Sequence, residues 1–267
     1  METKLITLTT DFGHKDPFVG IMKGVIFSIN PNARIADLSH GIAPQDLRGA
    51  ALVLGYSAPF FPSGTVHVAV VDPGVGSGRR PIVIESEGGF FVGPDNGILS
   101  LAVEGREVKQ IVELANESYH SKPKSATFHG RDIFAPVAAY LSLGIPARDF
   151  GPAVNDYSRL PWPQVIKTAD GFQGEVIYID NFGNLITNVY ERDLGSLRQE
   201  KLAISLAGLT IQGLAPNYAS GERDEYTALI NSWGLLEISS FKGNAQLRSG
   251  AEIGDPVYIH SAEGQAQ

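Results

Sequence analysis

The first half of the chain alternates short apolar runs with segments whose apolar residues recur at helical spacing. Leu5 to Leu8 forms an apolar strand pattern, and Val19 to Ile29 then carries apolar residues three and four positions apart, which predicts a helix. The same patterns predict further strands at 34–38, 66–71 and 82–86, and further helices at 46–60 and 133–143. Strands that alternate with helices predict a mostly parallel sheet with flanking helices.

The second half has a different pattern, in which helical spacing becomes scarce beyond about residue 155. Short apolar runs bounded by turn residues predict strands at 174–180, 202–206, 209–212, 228–231, 235–239 and 256–260. Such spacing is typical of a small antiparallel barrel or sandwich. We therefore predict an N-terminal α/β domain at 1–160, a linker at 161–170 that includes Pro161-Trp162-Pro163, and a smaller C-terminal all-β domain at 171–267.

Composition narrows the class of protein. Among 267 residues, 43% are hydrophobic and the formal net charge is −8, with no basic tract, which argues against nucleic acid as the main partner. The chain has no cysteine, so disulfides and thiolate nucleophiles are excluded. No apolar stretch approaches the roughly 18 residues of a membrane span, and the N-terminus lacks a signal-peptide pattern. We expect no membrane partner and a cytoplasmic protein.

The first candidate for chemistry is the segment that follows the apolar strand 66–71. It places Asp72 in a turn with one proline and three glycines, and Arg79 and Arg80 follow closely. Loops of this kind at strand ends are where open α/β sheets bind ligands. His129, beside a glycine in a second polar segment, adds a titratable imidazole. These residue types together suit proton transfer, although an Asp–Arg structural pair and a partly buried histidine would also fit the pattern.

Asp11 and Asp16 lie just beyond the first predicted strand. Two carboxylates there would suit a sugar diol or a metal ion, and Asp11 would equally serve as a cap of the next turn or helix. With Asp72 and His129 they also fit a divalent metal site, and hence a metal-dependent phosphoesterase. The chain contains no metal-binding motif such as HExxH, no GxSxG and no phosphate-binding GxxxxGK[ST] loop.

Two polar segments with aromatic residues mark the C-terminal half. Asp180 to Asn188 surrounds Phe182 with amide and carboxylate side chains, which suits binding of a base or an amino-acid group, or simply a hairpin turn. The Asn231-Ser232-Trp233-Gly234 segment is a similar polar turn.

Taken together, six motifs resemble the S-adenosyl-L-methionine hydroxide adenosyltransferase family, which is related to the halide-using enzymes that make 5′-halo-5′-deoxyadenosines. In chain order they are TTDFGHKDPFVGIMKG, VVDPGVGSGRR, GPDNG, TFHGRDIFAPVAA, IDNFGNLITN and INSWG. The resemblance covers nearly the whole chain. It implies an N-terminal α/β domain, a C-terminal β domain, and a homotrimer with inter-subunit active sites.

The resemblance also implies roles for particular residues. The water-activating triad would be Asp72, His129 and an arginine, which is Arg79 by spacing, with Arg80 as the alternative. The substrate would be bound by residues that match the family's binding motifs, namely Asp11 at the ribose, Asp180, Phe182, Asn184 and Ser232 near the methionine and adenosine groups, and Tyr218 near adenine. The halide-using relatives lack the Asp and His of the triad.

The resulting hypothesis is a hydrolase that converts S-adenosyl-L-methionine into adenosine and L-methionine. We predict no cofactor and no metal, because a divalent cation would repel the sulfonium whereas carboxylates would attract it. The alternatives are halide-dependent adenosyl transfer on the same scaffold, a protein that binds S-adenosyl-L-methionine or adenosine without turnover, and the metal-dependent phosphoesterase.

Overall fold

The computed structural model describes residues 4–195, 202–221 and 225–261. The chain divides into two compact units, Met1–Leu160 and Pro161–Gln267. The strands of the first unit are β1 (Leu5–Thr10), β2 (Arg34–Ser39), β3 (Thr65–Val70), β4 (Pro81–Ser86), β5 (Gly89–Pro94), β6 (Val108–Glu113) and β7 (Ala153–Val154). Its helices are α1 (Phe18–Ile29), α2 (Leu47–Ser57), α3 (Ser100–Val103) and α4 (Ala135–Ser142), with 3₁₀ turns at Ala58–Phe60, Glu117–Tyr119 and Ala147–Phe150 and a π-helical turn at Gly130–Phe134.

The first unit is built on a seven-stranded sheet in the order β2-β1-β3-β5-β4-β6-β7. The first four strands in this order run parallel, and β4, β6 and β7 are antiparallel to their neighbours. All six residues of β3 are buried, because apolar clusters cover both faces of the sheet. The C-terminal ends of β1 and β3 are adjacent, since Thr10 pairs with Val70, so the loops that carry Asp11 and Asp72 leave the same edge.

This arrangement confirms the predicted mostly parallel sheet with flanking helices, with differences in detail. The predicted helix 46–60 ends as an α-helix at Ser57, because Pro59 lacks an N–H and its ring would clash with the carbonyl four residues back. The predicted helix 133–143 begins earlier, as the π-helical turn. The sequence analysis missed β6, whose first residues include polar Lys109 and Gln110.

The second unit is an all-antiparallel sheet, which confirms the predicted C-terminal β structure. Its strands are β8 (Ile166–Lys167), β9 (Gly171–Ile179), β10 (Leu185–Tyr190), β11 (Leu202–Leu206), β12 (Leu209–Gln212), β13 (Tyr226–Ile230), β14 (Leu235–Ser240) and β15 (Pro256–Ser261), with short helices α5 (Glu191–Leu194) and α6 (Ala245–Ser249) and a 3₁₀ turn at Tyr218–Ser220. The strand order is β12-β11-β15-β9-β10-β14-β13, and β8 pairs with β9.

Strand β10 was missed because its buried polar residues resemble a ligand-binding segment. Thr187 and Asn188 are almost fully buried, and their side chains bond to backbone groups: the Thr187 hydroxyl donates to the Leu236 carbonyl, and the Asn188 amide oxygen accepts from the Glu175 N–H. These polar side chains therefore stabilise the sheet.

The longest helix of the described ranges, α1, has 12 residues. Within those ranges, no helix combines the length and the apolar character that crossing a bilayer requires.

Candidate active site in the first unit

Two loops meet beyond the C-terminal ends of the parallel strands. The loop after β3 contains Asp72, and its Gly76 has a φ of +78° and packs directly against the Ala126 carbonyl, where a Cβ would collide. Glycine is required there for both reasons. The close approach brings the loop after β3 against the segment that carries His129.

Asp72, Arg79 and His129 form one connected cluster of contacts. Arg79 Nε donates to Asp72 Oδ1 over 2.9 Å, and Arg79 Nη2 donates to Asp72 Oδ2 and, over 2.7 Å, to His129 Nδ1. The Asp72 and Arg79 side chains are only 6% and 9% exposed. A bidentate pair of this kind fixes both groups, because the planar guanidinium matches the carboxylate geometry.

The structure distinguishes between the two adjacent arginines. Arg80 points elsewhere: its Nε and Nη2 donate to Asp95 Oδ2 over 2.9 and 2.6 Å, and its Nη1 donates to Asp156 Oδ1 over 2.9 Å. Arg79 is therefore the arginine that contacts Asp72 and His129.

His129 immediately precedes the π-helical turn, a feature that often occurs at functional sites. Burial, followed by the positive charge of Arg79, lowers the pKa of His129 below its ordinary value of 6.5, while Asp72 acts in the opposite direction. The ring is therefore neutral at pH 7. Because arginine can only donate, Nδ1 must accept, so the neutral ring carries its proton on Nε2.

The packing around the residue after His129 favours a small side chain. A Cβ at Gly130 would approach both Met22 Sδ and the Phe128 ring to 3.2 Å, tighter than ordinary van der Waals contact. The close packing of α1 against this turn therefore favours glycine at position 130.

Asp11 follows β1 and lies beside the same site. Its Oδ2 accepts a hydrogen bond of 2.9 Å from the backbone N–H of Gln45, a non-glycine residue held at a φ of +67°. Such strain is uncommon and concentrates at functional sites. The residue at the N-cap of α1 is Pro17, so Asp11 does not cap that helix.

These residues surround a cavity of about 450 Å³, which lies in the usual range for small-molecule sites. Its lining comprises Asp11, Phe12, Asp16, Phe18, Gln45, Val70, Asp72, Pro73, Val75, Thr127, Phe128, His129 and Gly130. The rings of Phe12, Phe18 and Phe128 contact one another edge to face, with centroids 5.3 to 5.9 Å apart. Carboxylates beside aromatic faces suit a cationic organic ligand.

The predicted substrate-binding residues of the second unit form two turns. Asp180 stabilises the β9–β10 turn: its Oδ1 accepts from the N–H groups of Phe182 and Asn184, and its Oδ2 accepts from Asn184 Nδ2, all within 2.9 Å. Gly183, at a φ of +80°, completes the turn. The structure therefore shows the hairpin that the sequence allowed, and it leaves the Phe182 side chain 72% exposed at the tip.

The second turn carries Ser232 between β13 and β14. Asn231 Oδ1 accepts from the N–H groups of Trp233 and Leu235, and Asn231 Nδ2 donates to Glu237 Oε2 over 3.1 Å. Glu237 is 2% exposed, and burial raises its pKa. The sequence analysis missed Glu237, although a charged residue inside an apolar strand pattern is a signal that would have found it.

Tyr218 lies near the same buried carboxylate. Burial raises its pKa first, and the neighbouring Glu237 and Asp180 raise it further. The tertiary structure thus brings Tyr218 close to Asp180, which is 38 positions away in sequence.

Metal ligands were a further alternative from the sequence. In the part of the chain that the structure describes, no group of three or more His, Asp or Glu side chains is placed to hold a metal ion. Both Asp72 carboxylate oxygens are instead bound by Arg79, a cation that already occupies this position.

A mostly parallel sheet with a ligand cavity at its strand ends, followed by a β unit, defines an α/β protein with a small-molecule site in its first unit. Comparison with known families gives the class: residues 6–151 match the S-adenosyl-L-methionine hydroxide adenosyltransferase N-terminal domain, and residues 174–258 match the C-terminal domain. The chain belongs to this family, as the motifs predicted.

Individual relatives agree with this assignment. The (R)-S-adenosyl-L-methionine hydrolase of Methanocaldococcus jannaschii is 38% identical over 96% of this chain and 95% of its own. That of Salinispora tropica is 48% identical over 68% of this chain and 71% of its own. A crystal structure of an uncharacterized conserved protein from Thermotoga maritima superimposes with a TM-score of 0.90 and 34% identity, over 96% of this chain and all of that one. The fluorinase of Actinoplanes sp. is more distant, at 28% identity over 88% of this chain and 90% of its own.

Proposed function

We propose that this protein hydrolyses S-adenosyl-L-methionine to adenosine and L-methionine, by attack of water at C5′ of the ribose. The observation that carries the proposal is the connected Asp72–Arg79–His129 cluster at a cavity, in a chain of this family. The hydrolases of Methanocaldococcus jannaschii and Salinispora tropica that match this chain are named for the (R) epimer, so we extend the same configuration at sulfur to this substrate.

The reaction forms one bond and breaks one. The water oxygen bonds to C5′, the C5′–S bond breaks, and its electron pair leaves with sulfur, which becomes the neutral thioether of methionine. The leaving group needs no acid, since it starts as a cation. The nucleophile is the difficulty, because water has a pKa of about 15.7, and a positioned base contributes roughly 10²–10⁴-fold.

The contacts suggest a division of roles among the three residues. His129 has Nδ1 committed to Arg79, so its Nε2–H donates to the water oxygen and orients it. Asp72 alone keeps acceptor positions beyond its two bonds to Arg79, so it takes the water proton. Arg79 fixes the positions of the Asp72 and His129 side chains relative to each other. Its positive charge also helps to keep His129 neutral.

The residues that would bind the substrate are those that match the family's binding motifs. Asp11 would accept hydrogen bonds from the ribose hydroxyls, as in the family pattern. Ser232 and Tyr218 would lie at the methionine and adenine ends, and the Asp180–Asn184 turn would present Phe182 for ring packing, which its exposure permits.

Assembly and location are also part of the proposal. We propose a cytoplasmic homotrimer in which neighbouring subunits complete each site. Analytical ultracentrifugation would test the trimer, and a purely monomeric protein with full activity would contradict inter-subunit sites.

The defining experiment is mass spectrometry of products formed in ¹⁸O-labelled water, with each sulfonium epimer supplied separately. We expect adenosine that carries the label at its 5′ oxygen, with unlabelled methionine, and faster conversion of the (R) epimer. A parallel reaction with added chloride tests for halide transfer, which would give a chlorinated nucleoside. Intact substrate despite measurable binding would favour a binding protein and contradict hydrolysis.

Removal of divalent ions is expected to leave turnover unchanged. In the proposed reaction, activation of water comes from Asp72 and His129, and no step requires a metal. The measurement is kcat before and after dialysis against a chelator. Loss of activity that Mg²⁺ or Mn²⁺ restores would contradict the metal-free reaction and favour the metal-dependent alternative.

Activity is expected to fall on the acid side of neutrality with an apparent pKa below 6.5. The reason is that His129 must be neutral to accept from Arg79, and burial together with Arg79 lowers its pKa, so the neutral form persists below the ordinary value. Protonation of His129 would place an Nδ1–H donor opposite the guanidinium N–H of Arg79, so the hydrogen bond between the two side chains would be lost. The measurement is kcat against pH; an acid limb centred well above 6.5 would contradict this origin.

A further inference from the structure

A buried histidine outside the proposed catalytic cluster contacts the loop that carries Asp11. His40 follows β2 and is 1% exposed. The hydroxyl of Thr10, the residue before Asp11, lies 2.8 Å from His40 Nδ1, and Thr10 is itself fully buried. His40 is separated from this loop by about 30 positions, and its sequence context gives no sign of the contact.

The hydrogen bonds around this pair run in one consistent direction. The Phe12 N–H donates to Thr10 Oγ1 over 3.2 Å, so the Thr10 hydroxyl proton is available to His40 Nδ1. Nδ1 accepts from Thr10, because the proton of the neutral His40 ring lies on Nε2, the ring nitrogen nearest to an Asp37 carboxylate oxygen that can only accept. That nitrogen lies 3.1 Å from Asp37 Oδ1, close in distance but outside hydrogen-bond geometry. Asp37 is in turn bound by Lys23 Nζ over 2.6 Å.

The backbone adds a second connection between the same two segments. The Gly13 N–H donates to the His40 carbonyl over 2.8 Å, and Gln45, five residues after His40, donates its N–H to Asp11 Oδ2 over 2.9 Å. The residues on both sides of Asp11 are therefore connected to the 40–45 segment. The orientation of the Asp11 carboxylate therefore depends on the position of the 40–45 segment.

We propose that His40 is a positioning residue, which through Thr10 holds Asp11 in the orientation that recognises ribose and so sets discrimination against 2′-deoxyribose. The inference rests on the proposed function, in which Asp11 accepts from the ribose hydroxyls. It assigns to His40 a role in specificity that is separate from activation of water.

The same sheet offers a matched control. Thr7, three residues earlier on β1, also places its hydroxyl 2.8 Å from a buried histidine nitrogen, Nδ1 of His67. Thr7 is fully buried and His67 is 2% exposed, and neither lines the cavity. Thr7→Val and Thr10→Val thus remove the same kind of hydrogen bond from the same strand, but only the second is linked to Asp11.

The experiment measures kcat/KM for S-adenosyl-L-methionine and for its 2′-deoxyribose analogue, and reports their ratio for each variant. Inactive or unfolded protein lowers both values equally, so the ratio is insensitive to a merely structural loss. We expect the wild-type enzyme to prefer the ribose substrate by about tenfold or more in kcat/KM. The reason is that the 2′-deoxyribose analogue lacks a hydrogen bond to the charged Asp11 carboxylate, and the loss of such a bond costs about this much. Asp11→Asn should lower that preference.

The decisive comparison is between the two threonine variants. Thr10→Val should reduce the preference at least about fivefold, Thr7→Val should keep it, and His40→Asn, whose amide oxygen replaces Nδ1 as acceptor, should retain more of it than His40→Leu. A wild-type preference that Thr10→Val and His40→Leu both leave intact would overturn the inference while the proposed function stands. A wild-type enzyme without turnover, or without the preference, would overturn the role of Asp11 and the inference with it.

Discussion

Replacing His129 by alanine is expected to lower kcat by about 10²–10³-fold, the loss typical of one preorganised hydrogen-bond donor, while adenosine binding stays measurable. The variant removes the Nε2–H that would orient the attacking water and also the acceptor that Arg79 contacts over 2.7 Å. The reaction would lose the positioning of its nucleophile, whereas the ribose contact of Asp11 would remain. The measurements are kcat from methionine release and adenosine affinity from calorimetry.

A second variant separates the two functions of this imidazole. In His129→Asn the side-chain oxygen can replace Nδ1 as acceptor for Arg79, but nothing replaces Nε2–H. We expect wild-type thermal stability with kcat still strongly reduced. Wild-type turnover in His129→Asn would contradict the proposed donation to water, and a loss of adenosine binding equal to the loss of turnover would indicate a structural role alone.

Replacing Arg79 by lysine is expected to lower kcat by about 10²–10³-fold and the free energy of unfolding by about 1–3 kcal/mol. Lysine keeps the positive charge but cannot make the bidentate contact with Asp72 while also donating to His129. Asp72 would keep a cation nearby without its fixed orientation. Steady-state kinetics and denaturant unfolding measure the two effects.

The adjacent residue supplies the control for this prediction. Arg80→Lys alters the pairs with Asp95 and with Asp156, whose side chain is 80% exposed, and contacts neither Asp72 nor His129. We expect a modest loss of stability, because the exposed pair with Asp156 contributes little and lysine can still pair with the buried Asp95 carboxylate. We expect kcat within about twofold of wild type, because Arg80 contacts neither Asp72 nor His129. A larger loss of kcat in Arg80→Lys than in Arg79→Lys would reverse the assignment of the two arginines.

Much of the fold could be predicted because hydrophobic periodicity reports which face of an element is buried. The pattern located β1, α1 and β3 to within one or two residues, and the turn residues around them predicted a ligand-binding edge. Periodicity failed where burial and polarity coincide. Strand β10 buries Thr187 and Asn188, so its pattern resembled a polar binding segment.

The candidate site, like the fold, was predicted from the sequence only in part. Family motifs in the sequence named Asp72, His129 and Asp11, since residue type and spacing are one-dimensional information. They left Arg79 and Arg80 as alternatives, because adjacent side chains that leave a loop in different directions cannot be distinguished by spacing. Only the contacts with Asp72 and His129 in the folded structure favour Arg79.

The sequence by itself determined the fold class and the family, and it predicted most of the residues of the candidate site. The tertiary structure decided which of them touch, which nitrogen of His129 carries the proton, and that His40 reaches Thr10. These depend on distances and angles between segments far apart in the chain. A hydrogen bond exists only when its two atoms meet within about 3 Å at a favourable angle, and residue spacing along the chain does not fix that geometry.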